Sequence, residues 1–155
     1  MSTVKMTDLG PGFLIRGSLA SYELLKEVSE GANRAFQARN TKSGEMVFLK
    51  VYEESPRTSN SRFPIFKTLQ DEINRRLADL KNMTEVLTED FLINDLYYCS
   101  VKSWVDGKSA AKIIEEELGT LERYQALGLA AVFIGGLAKG HEQGMIHTDV
   151  KPRNL

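Results

Sequence analysis

Near residue 103 the spacing of apolar residues changes from a period of about 2 to one of about 3.6, and this change limits the folds open to the chain. Before it, short apolar runs alternate with turn residues. Residues 22–28, 35–40 and 45–52 read as three antiparallel strands, the last two joined by the polar turn Thr41-Lys42-Ser43-Gly44. Residues 53–61 are polar and include Pro56, so the sheet pauses in a loop. From Pro64 onward, Leu69, Ile73, Leu77 and Leu80 fall three or four apart, which predicts one amphipathic helix fading by Asn82. Two more apolar runs, 91–93 and 96–101, flank Asn94-Asp95, a dipeptide suited to a hairpin, and bring the predicted sheet to five strands. Beyond Gly107 the pattern is helical, first at 110–118 and then from about 121 to 142, with Gly144 placed to close the longer helix. The expected class is α+β, with the sheet first and the helices after it. Residues 1–20 contain Gly10-Pro11-Gly12 and little periodicity, so they read as a loose leader holding one candidate short strand at Phe13-Leu14-Ile15.

Composition excludes several function classes. The 20 basic residues nearly balance the 21 acidic ones, so the net charge of −1 points to neither a nucleic-acid partner nor a membrane surface. One cysteine, Cys99, cannot form an internal disulfide, and with two histidines it cannot build a zinc cluster of ordinary spacing. The cytoplasm is the expected compartment. Residues 1–20 lack the apolar run of a secretory signal. The apolar stretch 126–138 is too short to span a bilayer and carries three glycines, so it reads as a buried helix.

Four stretches carry chemistry. Behind the long helix stands His147-Thr148-Asp149-Val150-Lys151-Pro152-Arg153-Asn154, and in the third strand stands Val47-Phe48-Leu49-Lys50. The predicted helix contains Leu69-Gln70-Asp71-Glu72-Ile73, and the first hairpin contains Val28-Ser29-Glu30-Gly31-Ala32-Asn33. The first stretch resembles the catalytic loop of protein kinases, H-R-D-L-K-x-x-N in its usual form, and the second resembles their V-A-I-K strand. The order and spacing of all four, over residues 22–155, are similar to those of the eukaryotic-like (Hanks-type) serine/threonine protein kinases.

The resemblance implies a protein-kinase-like fold, with a five-stranded antiparallel N-lobe sheet, one helix, and the first helices of an incomplete C-lobe. The expected domains are a leader at 1–20, an N-lobe at 21–103, and a hinge with the start of the C-lobe at 104–155. It further implies Mg²⁺ and ATP as cofactors and a protein Ser or Thr as acceptor, with no nucleic acid and no membrane involved. Asp149 would take the proton of the substrate hydroxyl, Lys151 would neutralise charge on the γ-phosphate, and Asn154 would hold Mg²⁺. Lys50 would hold the α- and β-phosphates, oriented by a helix carboxylate that is Glu72 or its neighbour Asp71. Val28, Gly31 and Asn33 would line the phosphate-covering hairpin. Taken alone, each stretch has a plainer use: a solvated loop, an edge-strand lysine that discourages aggregation, a solvent-facing helical acid, a simple turn.

The pattern also departs from the family. Only Gly31 keeps its glycine in the hairpin, Thr148 stands where Arg is usual, and Phe48 replaces the small residue that packs on adenine. The sequence ends at Leu155 without D-F-G, so the expectation is a fragment, or a chain completed by a partner or a C-lobe that covers the long helix. Two other readings stay open: a pseudokinase-like binding scaffold, and a small-molecule kinase of the aminoglycoside-phosphotransferase type, which Lys151 disfavours.

Overall fold

The computed structural model describes residues 4–29, 33–52, 87–94, 96–117, 122–146 and 150–152, together with Thr68, Asp71, Glu72 and Arg75. Among the described residues there are six strands: β1 (Leu14–Arg16), β2 (Ser21–Ser29), β3 (Arg34–Asn40), β4 (Met46–Tyr52), β5 (Leu87–Ile93) and β6 (Tyr97–Ser103). They pair antiparallel in the order β1-β2-β3-β4-β6-β5. The expected five-stranded sheet is therefore corrected to six, the added strand being β1, the candidate short strand of the leader. A three-residue strand is too short to show a period of two, and β1 exists because β2 pairs with it, placing Ile15 opposite Tyr22.

Local chemistry explains the turns. Between β3 and β4 the Asn40 side-chain oxygen accepts from the backbone N–H groups of Lys42 and Ser43, and Gly44 takes φ 78° to close the loop. Between β5 and β6, Asn94 adopts φ 50°, a conformation that asparagine tolerates better than most residues.

One face of the sheet forms the core. Leu24, Phe36, Ala38, Val47, Leu49, Val51, Phe91, Cys99 and Val101 make one buried cluster that also takes in Leu9 and Ile15 of the leader. The sheet curls around this cluster. The Tyr22 ring on β2 stacks on Phe91 of β5, with centroids 6.2 Å apart, although three strands separate β2 from β5 in the sheet. Glu89 of β5 bridges the same gap by accepting from the Leu19 N–H at 2.8 Å. Burial, and then the adjacent Glu89 carboxylate, push the Tyr22 hydroxyl well above the usual tyrosine range. Gly17 leaves room here, because a Cβ would collide with Glu89 Oε1 and lie 2.9 Å from the Phe91 ring and 3.0 Å from the Ala20 carbonyl oxygen.

The leader is not loose. Leu9 is only 3% exposed, and a short 3₁₀ turn at Met6–Asp8 precedes it. Arg34 at the start of β3 fastens this turn, donating from one guanidinium nitrogen to the Met6 and Leu9 carbonyls at 2.6 and 2.8 Å. Its other nitrogens grip both oxygens of Glu27, and the guanidinium lies 5.0 Å from the Phe36 ring centroid. A Gly-Pro-Gly sequence reads as punctuation, and the apolar residues around it give no period, so tertiary contacts alone reveal this docking.

The described residues fall into two compact units, those up to Val105 in the first and those from Asp106 onward in the second. The first carries the sheet. The second carries α1 (Ala110–Glu117) and α2 (Arg123–Glu142). The Ser109 hydroxyl accepts from the Lys112 N–H and caps α1. Gly144, at φ 70°, ends α2 in a paired cap, its own N–H bonding the His141 carbonyl and the Met145 N–H bonding the Gly140 carbonyl. No described helix is long and apolar enough to cross a membrane.

Candidate functional site

Strand β4 alternates without interruption. Val47, Leu49 and Val51 enter the core, which leaves Met46, Phe48, Lys50 and Tyr52 half-buried on the other face. Because β3 and β6 pair along both sides of β4, Lys50 belongs to an interior strand, and the edge-strand explanation for this lysine does not apply. Its cross-strand neighbours are Ala35 and Ser100. Ser100 is 2% exposed, and its hydroxyl has no hydrogen-bond partner among the described residues.

The Lys50 ammonium lies 4.9 Å from the centroid of the Tyr52 ring. That ring packs on Tyr98 with centroids 5.4 Å apart, and the Tyr98 hydroxyl bonds Asp90 Oδ2 at 3.2 Å. Burial first, then the charge and hydrogen bond of Asp90, then Tyr52 and Asp71, hold the Tyr98 hydroxyl well above the usual range. Asp71 therefore bears on the same group of side chains as Lys50.

Thr68, Asp71, Glu72 and Arg75 are helical, in agreement with the predicted periodicity, while the apolar positions Leu69, Ile73, Leu77 and Leu80 lie outside the described residues. Glu72 receives two hydrogen bonds from the Arg75 guanidinium, at 2.9 and 2.8 Å. This i, i+3 pair raises the Arg75 pKa, mainly through its hydrogen bond. Of the two carboxylates weighed as partners for Lys50, Glu72 is engaged by its own helix and Asp71 acts on Tyr98.

In the first hairpin, the β2 and β3 register shifts twice, between Leu24 and Lys26 and between Glu27 and Ser29. Val28 is exposed there, as is Asn33, while Gly31 lies outside the described residues. The base of the hairpin is held by Arg34 and Glu27. The hydrogen bond from Arg34 holds the Glu27 carboxyl below its usual range, more than its slight burial raises it. Arg34 escaped sequence reasoning because its partners stand at Glu27, Met6 and Leu9, and neither helical nor strand spacing links those positions.

In the second unit, Lys151 and Val150 are exposed just after the capped end of α2. His147, Thr148, Asp149 and Asn154 lie outside the described residues, so Lys151 alone of the three proposed catalytic-loop groups is placed.

No family model matches the chain. A probable serine/threonine-protein kinase of Clostridium perfringens is 31% identical to it over 136 residues, covering 86% of this chain and 19% of the relative. A serine/threonine-protein kinase of Schizosaccharomyces pombe is 30% identical over 139 residues, covering 89% and 13%. The SNF1-activating kinase 1 of Saccharomyces cerevisiae is 28% identical over 167 aligned positions, covering 90% and 14%. The chain is a relative of the serine/threonine protein kinases. It spans about a fifth or less of the length of these three relatives, while they match nearly all of it. The kinase relationship thus includes the Lys50 strand and the segments flanking it.

Proposed function

We propose that the protein containing this chain transfers the γ-phosphoryl group of ATP to a serine or threonine hydroxyl of a protein substrate. The observation that carries this reading is Lys50, fixed on an interior strand on the face turned away from the core, in a chain whose relatives are named serine/threonine kinases. An interior-strand lysine two residues from the apolar ring of Phe48 fits a ligand with an anionic end and a flat base.

In this reading Lys50 holds the α- and β-phosphates, oriented by Glu72 or Asp71, and the hairpin with Val28, Gly31 and Asn33 covers them. Asp149 removes the proton of the acceptor hydroxyl as its oxygen bonds the γ-phosphorus and the bond to ADP breaks. Lys151 neutralises charge on the γ-phosphate during transfer. Asn154 would hold Mg²⁺, which supplies charge neutralisation at the phosphate oxygens when bound. A second metal-binding carboxylate, and cover for the apolar residues of α2, would come from further chain or from a partner. The cytoplasm remains the proposed compartment.

The test is Asp149→Asn in the full-length protein. Phosphoryl transfer to a protein substrate should fall by roughly 10³-fold, while nucleotide affinity stays within about twofold. Unchanged turnover would refute the catalytic role. A second reading, a nucleotide- or protein-binding scaffold of pseudokinase type, is favoured by the bulk of Phe48. Nucleotide binding with no transfer by the unmodified protein would select it.

A further inference from the structure

Arg34 touches three parts of the first unit at once. Its Nη1 donates to the Met6 and Leu9 carbonyls of the leader at 2.6 and 2.8 Å, while Nε and Nη2 hold the two Glu27 oxygens on β2. The guanidinium carbon lies 5.0 Å from the centroid of Phe36, a fully buried ring. A guanidinium is planar and its donors are fixed in direction, so these bonds cannot be adjusted one at a time. If Glu27 moves, the plane turns and the leader bonds lengthen. If the leader leaves, Arg34 loses two acceptors and holds Glu27 less firmly.

Strand β2 needs such a brace at this point. Its register against β3 shifts between Leu24 and Lys26 and again between Glu27 and Ser29, so the ladder alone does not fix its course on either side of Glu27. Glu27 directly precedes Val28, and Arg34 directly follows Asn33, two exposed positions assigned above to the phosphate cover. The Arg34 backbone pairs with Val51 of β4, next to the pair of Ala35 with Lys50. Resting on the nucleotide reading above, we infer that Arg34 is a positioning residue for the nucleotide site, and that through Glu27 it couples docking of the leader to nucleotide binding. A docked leader holds the base of the hairpin in one arrangement, so less ordering is left for the nucleotide to impose and affinity rises. The coupling is reciprocal, and bound nucleotide tightens the leader by the same factor. An event that detaches residues 5–9 therefore weakens nucleotide binding without touching the site itself.

The experiment is hydrogen exchange of the full-length protein with and without saturating Mg·ATP, combined with calorimetric titration of Mg·ATP. Exchange is read at the amides of Asp8, Leu9 and Gly12, which donate to the Lys5, Met6 and Leu24 carbonyls and so report leader docking. In the unmodified protein, nucleotide should slow their exchange about fivefold, the low end of common coupling strengths. Glu27→Gln keeps the Arg34 bonds to the leader but leaves β2 one accepting oxygen and no charge. It should bind Mg·ATP about fivefold more weakly and lose the nucleotide-dependent slowing, while the leader stays protected without nucleotide. Arg34→Lys keeps the charge and removes the fork, and should lose the same affinity and the same response. Thermal melting establishes that each variant is folded. A purely structural role would lower the melting temperature and leave the response to nucleotide intact. The inference fails, with the nucleotide reading intact, if Mg·ATP binds the unmodified protein without slowing these amides, or if either folded variant keeps the parental affinity and response. A folded, unmodified protein that does not bind Mg·ATP overturns the nucleotide reading itself, and this coupling with it.

Discussion

The sheet face around Leu49 and the helix α2 are both apolar, yet they differ in how they are satisfied. Every strand of the sheet sends residues into one cluster, and Phe36, Leu49 and Val101 are fully buried in it. Along α2 the opposite holds: among its 20 residues Tyr124, Leu127, Val132 and Ile134 are exposed, and Gly140 is its one buried residue. A curled sheet can bury its own inner face, whereas a helix needs another element against its stripe. The comparison indicates that the first unit derives its stability from contacts within itself, and that the apolar residues of α2 contribute little to the stability of this chain.

Substitutions can break that comparison directly. The largest effect should come from Phe36→Ala, which removes a fully buried ring and should cost about 3–5 kcal/mol in urea-induced unfolding monitored by tyrosine and tryptophan emission. Arg34→Ala should cost roughly 2–3 kcal/mol, since it frees the Met6 and Leu9 carbonyls and leaves Glu27 alone. Hydrogen exchange should then show early loss of protection at the amides of β1, and protection equal to the parent protein would contradict the leader docking. Gly17→Ala should cost about 1–3 kcal/mol by forcing Glu89 and the Ala20 carbonyl apart, measured as a lowered melting temperature.

Acid should probe the Glu27 pair. Glu27 has a lower pKa folded than unfolded, so the pair stabilises above the unfolded value, and that contribution fades as pH falls through the folded value. The pair is partly exposed, so Glu27→Gln should remove about 1 kcal/mol or less near neutral pH and flatten the acid limb of stability against pH. An acid limb identical in the two proteins would contradict this linkage. The smallest effect should come from Val132→Ser on α2, within about 0.5 kcal/mol by the same urea measurement. A loss of several kcal/mol there would show that α2 is covered in solution and would collapse the distinction between the two regions.

Much of the fold was legible in the sequence. Strands β2, β3 and β4 lie within a residue or two of their expected bounds, because each alternates or is flanked by turn chemistry such as Asn40 and Gly44. The close of α2 at Gly144 was readable because only glycine takes φ 70° there without strain. The candidate short strand at 13–15 stands as β1 one residue further on, but the docking of the leader was not readable, since its apolar residues and Gly-Pro-Gly turn show no period. For the candidate site, Lys50 was placed on the correct kind of element by alternation alone. The bond between Glu72 and Arg75 is a local i, i+3 contact, and helical spacing by itself does not say which carboxylate faces the sheet.

By itself the sequence determined the β-to-α division, the alternation that turns Lys50 away from Leu49 and Val51, and the order of segments that relates this chain to the kinases. These depend on spacing along the chain, which local backbone geometry converts to direction. Only the tertiary structure decided that the leader seals the sheet through Arg34, that Glu89 and Tyr22 meet across its curl, and that Lys102 stands beside Phe48. Each of these pairs residues separated by 25 to 67 positions. Such pairs are created by strand register and sheet curvature, which no local pattern encodes.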